Sequence, residues 1–213
     1  MRPRMSTATV RAMNGGVVFY WLPLGAGGHS VRLNGRVYEA LVAAAERRKR
    51  CDLYHSALEV RIPDGRFVIE MTPVVGGGDQ SHGAVAGGAV GSRLLGWMSL
   101  FRYEVRCWRN GQIPDAAEAV ESPRLLSDDP ALAQRILELV PLVPTPTWGR
   151  DELRTGDMWN SNSLISWLLV SAGFSVEHVR LPKGGRAPGW DAGIAVARRA
   201  PVPAFAPAAV LQP

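Results

Sequence analysis

Asn160-Ser161-Asn162-Ser163 lies directly ahead of Leu164, Ile165, Trp167, Leu168 and Leu169, an apolar set at helical spacing. Small polar residues followed by such a set predict a loop turning into a buried helix, with Gly173 as its left-handed end cap. The first turn of a helix carries unpartnered N–H groups and the positive end of the dipole, an environment that favours developing negative charge. Nucleophiles are often placed at such a junction, and Asn160, Ser161, Asn162 and Ser163 are all plausible caps for it. The plainer alternative is a well-capped core helix, which is the commoner use of these residue types.

A nucleophile of this kind needs a base and something to orient it. Leu53–Ile62 reads as a strand, Pro63-Asp64-Gly65 as a turn and Arg66–Met71 as the returning strand. Pairing about that turn puts His55 and Glu70 near the same end of the ladder, within reach across one face. A His–carboxylate pair results, with a satisfied core histidine and an exposed glutamate as the alternative. Asp191 competes with Glu70 as the orienting acid. His29 and His82 fall in glycine-rich loops and are expected to be solvated, and His178 is given no role.

The remaining elements have to hold these groups together. Val17–Leu22 is β-branched and aromatic and predicts a strand, followed by the Gly25–Gly28 turn. Asn34 caps an expected helix to about Arg48. Residues 75–93 read as a long glycine-rich loop, a functional lid or a disordered segment, and not a phosphate loop. Phe101–Trp108 alternates as a half-buried strand, turned by Asn110-Gly111. Residues 112–126 look irregular, and Asp129-Pro130 opens a helix with Leu132, Ile136, Leu137 and Val140 inward. Phe174–Val179 and Trp190–Val196 complete the list as strands.

The pattern predicts an α+β fold, a mostly antiparallel sheet packed against helices, as one domain over residues 16–199. A flexible N-terminus (1–15) precedes it and a Pro/Ala-rich, disordered tail (200–213) follows. A cleft is expected between the His55 strand and the Ser161 helix, with Trp159 and Tyr54 as its walls.

Composition narrows the functional classes. The chain has 213 residues, 46% of them hydrophobic, and a formal net charge of +5. One dense basic run, Arg47-Arg48-Lys49-Arg50, sits where it complements a helix C-terminus, so no nucleic-acid partner is expected. Cys51 and Cys107 have neither metal nor redox spacing and are expected to be small buried side chains. No cofactor or metal is called for. Val17–Leu24 is too short for a secretory signal and no run reaches spanning length, so the expected location is cytoplasmic, without a membrane span.

The histidine strand Leu53–Val60, the acid at Val68-Ile69-Glu70 and the later helix opened by Asn160-Ser161-Asn162 resemble the circularly permuted papain-like hydrolases. This part of the NlpC-type superfamily includes the YiiX/YaeF-like, PPPDE-like and lecithin–retinol acyltransferase-like proteins. There the histidine strand precedes a nucleophile helix opened by an Asn-Cys-Asn-like motif. The resemblance implies a papain-like sheet and acyl hydrolysis or transfer on a peptide, amide, isopeptide or lipid-like ester. In that scheme Ser161 replaces the cysteine nucleophile, His55 is general base and acid, and Glu70 orients it. Asn160 and Asn162 would serve the oxyanion and positioning. The serine departs from the pattern, because a thiol ionises near 8.5 and lower at a helix N-terminus, whereas a hydroxyl must lose its proton during attack. It implies an engineered replacement, a natural serine nucleophile, or an inactive relative kept as a ligand- or peptide-binding module.

Overall fold

Runs of β-branched and aromatic residues build the centre of the molecule. The computed structural model describes residues 15–24, 49–74, 83–98, 101–113 and 115–200, with residues 43 and 47. Within them lie β1 (Gly16–Pro23), β2 (Tyr54–Ile62), β3 (Gly65–Pro73), β4 (Ala84–Ala89), β5 (Arg102–Arg109) and β6 (Arg124–Ser127). They form one sheet in the order β4-β5-β3-β2-β1-β6, with every neighbouring pair antiparallel. The β2–β3 hairpin turns at Pro63-Asp64 as the sequence predicts, with Leu58 opposite Ile69 and Ile62 opposite Gly65.

Side chains alternate between the two faces of a strand. Val17, Phe19, Trp21, Tyr54, Leu58, Val60, Ile69 and Met71 share a core with the helices. Val18, Tyr20, Leu22, Ala57 and Val68 form a second cluster with Ile113 on the reverse face. Because β1 is covered on both sides, Val17–Leu22 is an unbroken buried run rather than an alternating one.

Among the described residues, three α-helices named below lie on the first face. α1 (Pro130–Leu139) starts at Asp129, whose side chain accepts from the Ala131 amide, and buries Ala133, Ile136 and Leu139. α2 (Ser161–Ser171) is buried from Ser161 through Leu169, so it is a central helix rather than one with a single apolar stripe. Gly173, at φ 94°, follows its end, and the Phe174 amide returns to the Leu169 carbonyl. α3 (Trp190–Arg199) packs against α2.

Several expectations are corrected. Trp190–Val196 is helix, not strand: Ala192, Gly193 and Ala197 make one buried face, Asp191 sits in the first turn and Arg198 and Arg199 in the last. Phe174–Val179 holds a short 3-10 turn at Val176–His178 instead of a strand. Residues 84–89 of the expected loop are the edge strand β4. Its glycines serve close approach, since a Cβ on Gly88 would meet the Tyr103 ring at 2.7 Å. Residues 112–126 contain a 3-10 turn, Ala116–Glu118, and the start of β6. Of the expected helix from Asn34 only Ala43, helical and buried, and Arg47, in a turn, are described; the tails over residues 1–14 and 201–213, residues 75–82 and both His29 and His82 lie outside the described residues.

Among the described residues no helix is long and apolar enough to cross a membrane. Cys51 and Cys107 are half-buried and not joined in a disulfide, and burial pushes the Cys107 thiol up to about 11.

Candidate functional site

The polar residues ahead of α2 form a dense network. Asn160 is the N-cap: its Oδ1 accepts from the amides of Asn162 (2.8 Å) and Ser163 (3.3 Å). The Ser163 hydroxyl bonds back to the Asn160 amide at 3.1 Å, which closes a capping box. Asn160 Nδ2 donates to the Pro188 carbonyl at 2.8 Å. Asn162 Nδ2 donates to the carbonyls of Tyr54 and Pro188, both at 2.9 Å, and its Oδ1 accepts from the Ser56 hydroxyl at 2.9 Å. Ser163 Oγ donates to the Gly189 carbonyl at 2.7 Å and Ser166 Oγ to the Trp190 carbonyl at 2.7 Å.

Apart from the bonds within the capping box, these tie α2 to β2 or to the segment that leads into α3. That segment is fixed elsewhere too: Leu53 and Arg186 form a parallel bridge just ahead of β2, in which the Tyr54 amide donates to the Arg186 carbonyl, and the Gly189 amide donates to Asp157 Oδ2 at 2.6 Å. Burial raises the Asp157 carboxyl pKa, partly offset by the Gly189 and Met158 amides that bond it. Gly189, at φ 84°, lies so close that a Cβ would sit 2.4 Å from Asn160 Oδ1.

Ser161 is 6% exposed, and its hydroxyl has no hydrogen-bond partner among the described residues. His55 does not supply one. Ser56 and Tyr54 face α2, so the intervening His55 turns to the reverse face with its cross-strand partner Leu22 and with Ala57. Burial there pushes the imidazole down to about 4. Glu70 alternates with Ile69 and Met71 and lies on that same reverse face, opposite Arg106 of β5. Burial raises its pKa, Arg106 lowers it, and Asp115 raises it further.

Alternation puts His55 and Glu70 on one face, although the β2–β3 ladder ends at Leu58 and Ile69, short of both, and the sheet stands between them and Ser161. The expected Ser161–His55–Glu70 constellation is corrected accordingly: a one-residue change of parity moves a side chain across the sheet. Asp191 is exposed on the first turn of α3 and does not stand behind His55. His178, the other described histidine, is exposed beyond the C-terminal end of α2.

The cleft is corrected as well. β2 and α2 touch directly through Ser56 and Asn162, and Trp159 and Tyr54 are core residues at 2% and 7% exposure. Gly185 lies flat on the Tyr54 ring, where a Cβ would approach to 2.3 Å. Two surface cavities lie elsewhere. One, of about 390 Å³, is lined by Gly91–Leu94, Thr147 and Arg150–Glu152; the other, of about 460 Å³, by Val176, Glu177, Trp190, Asp191, Ile194, Ala195 and Arg198. Among the described residues no three His, Cys, Asp or Glu gather as a metal site requires.

Ser56, Asp157, Ser166, Gly189 and Gly193 belong to the network and were not singled out by sequence. The run Pro188-Gly189-Trp190-Asp191 held the available signal, a glycine cap followed by an acid in the first turn of a helix. The chain matches no protein-family model, and neither a curated protein nor a solved structure is significantly similar to it.

Proposed function

We propose that this chain is a catalytically inactive relative of the permuted papain-like hydrolases, serving as a ligand- or peptide-binding module. The observation that carries the reading is the separation of His55 and Glu70 from Ser161 by the thickness of the sheet. A general base must come within hydrogen-bond reach of the proton it removes. Asn162 points the same way: both hydrogens of its amide nitrogen go to the chain's own carbonyls, Tyr54 and Pro188, so none is left for an oxyanion, and Asn160 gives one of its two to Pro188. What the hydrolase pattern uses for chemistry, this chain uses to fasten a central helix to its sheet. The support for the wider likeness is the antiparallel sheet and the order of elements, a histidine-bearing strand ahead of an Asn-capped helix laid against it.

Ser161→Cys tests the reading. The expected outcome is that the new thiol alkylates with iodoacetamide at neutral pH no faster than an unactivated cysteine, followed site by site by mass spectrometry against Cys51 and Cys107. Fast alkylation with a thiolate titrating well below the usual 8.5 would reinstate a catalytic centre at α2.

A further inference from the structure

Immediately after β4 the chain makes a turn whose own bonds hold apolar side chains out in water. Ser92 Oγ caps the 3-10 turn Arg93–Leu95 by accepting from the Leu94 amide at 3.3 Å. The Gly91 amide donates to the Trp148 carbonyl at 2.9 Å, the Gly91 carbonyl accepts from Arg150 Nε at 2.6 Å, and Arg93 pairs with Glu152 at 2.9 Å. On this braced turn Leu94 is 86% exposed, Trp97 80% and Met98 36%. The described residues expose six large apolar side chains, and three of them fall within these five positions, so the patch is local to the turn rather than general to the surface.

Charge decides the occupant. From Leu94 to Phe101 the sequence carries no ionisable residue, and Arg93 and Arg102, both exposed, bracket that stretch. Arg150 is exposed beside them. The neighbouring acids are turned to the chain itself. Glu152 accepts from the Thr147 amide and hydroxyl and from Arg93, and Asp151 accepts from the amides of Thr155 and Gly156. These bonds hold both carboxyls below their usual range. A tryptophan beside aliphatic side chains suits the boundary between headgroups and acyl chains, where the ring is buried and its N–H stays wet. Flanking arginines can lay their stems along the apolar layer and keep their guanidinium groups at phosphate level.

We propose that the Arg93–Met98 turn docks on an anionic phospholipid surface. Leu94 and Trp97 enter the interface and the exposed Arg102 meets the headgroup phosphates, while Arg93 stays paired with Glu152 and cancels its charge. This goes beyond the reading of α2 and does not depend on it. One turn of this size gives reversible attachment, strengthened by lipid charge and weakened by salt.

The experiment is co-sedimentation of the full chain with phosphatidylcholine vesicles prepared with and without phosphatidylserine, with tryptophan emission recorded alongside. The expected result is retention on the phosphatidylserine vesicles that falls with added salt, with a blue shift on binding. Combining Leu94→Asp and Trp97→Asp should weaken that partition at least about tenfold while leaving the circular dichroism spectrum unchanged. The pair Leu94→Ser and Trp97→Ser repeats the test without added charge. Failure of the unmodified chain to sediment, equal retention of the variants, or equal binding to neutral vesicles overturns the proposal. So does a dimer in solution that the same substitutions abolish, which would assign the face to a second copy.

Discussion

His55 is half-buried on the reverse face of the sheet, and that burial disfavours its imidazolium. Its pKa falls from 6.5 to about 4, so between those values the unfolded chain holds a proton that the folded chain does not. Stability from this group is complete above the unfolded value and declines as pH falls through the window. The full difference is worth up to about 3 kcal/mol. Glu70 and Asp157 run in the opposite direction: burial raises both, and each favours the fold at lower pH. Comparing urea unfolding of the unmodified chain with His55→Gln isolates the histidine. The expected outcome is a stability difference that changes by roughly 2–3 kcal/mol between pH 7 and pH 4.5. A pH-independent difference would mean that the imidazole is solvated.

At the scale of elements, the contact between α2 and α3 sets how the polar motif is used. Gly193 of α3 presses on the backbone of α2, where a Cβ would lie 2.1 Å from the Ser163 carbonyl oxygen and 2.2 Å from Ser166 Oγ. Backbone cannot swing aside as a side chain can. Gly193→Ala is therefore expected to cost at least about 1–3 kcal/mol through overpacking, although alanine is the better helix former, with the loss read as a lower urea midpoint. An unchanged or raised midpoint would show that the helices can separate freely. The same packing explains why α3 escapes a reading by period. Gly193-Ile194-Ala195-Val196 is a short apolar run, and such runs do not distinguish strand from helix until the cap and the packed face are considered together. β4 is the converse case, a strand written in alanine and glycine because Tyr103 needs the room.

At the scale of the whole molecule, Trp21 joins parts far apart in the chain. Its amide donates to Ser122 Oγ at 2.8 Å and its indole N–H to the Arg180 carbonyl at 2.9 Å. Its ring meets Phe19 edge-on at 4.7 Å and Trp190 at 5.1 Å. Trp21→Ala removes a fully buried ring and takes the indole donor from the Arg180 carbonyl while the backbone bond to Ser122 survives, so a loss of about 3–5 kcal/mol is expected. It should appear as one cooperative shift of the thermal transition, whereas two separated transitions would show that β1 and α3 unfold independently.

Local chemistry made much of this protein legible in its sequence. The β1 run, the hairpin at Pro63-Asp64, the Asp129 and Asn160 caps and the Gly173 stop each depend on residues within a few positions of one another. Turn and cap preferences act at that range. The spacing of His55 and Glu70 was legible for the same reason, since alternation along the two strands of one hairpin sets their common face. Which face that is could be decided only by the tertiary structure. Ser56 and Asn162 are 106 positions apart, and their hydrogen bond sets the parity of β2 against α2. A period of two names two faces and does not say which one a distant helix will cover. The choice falls to the fold as a whole, and here it puts Ser56 beneath the helix and His55 behind the sheet.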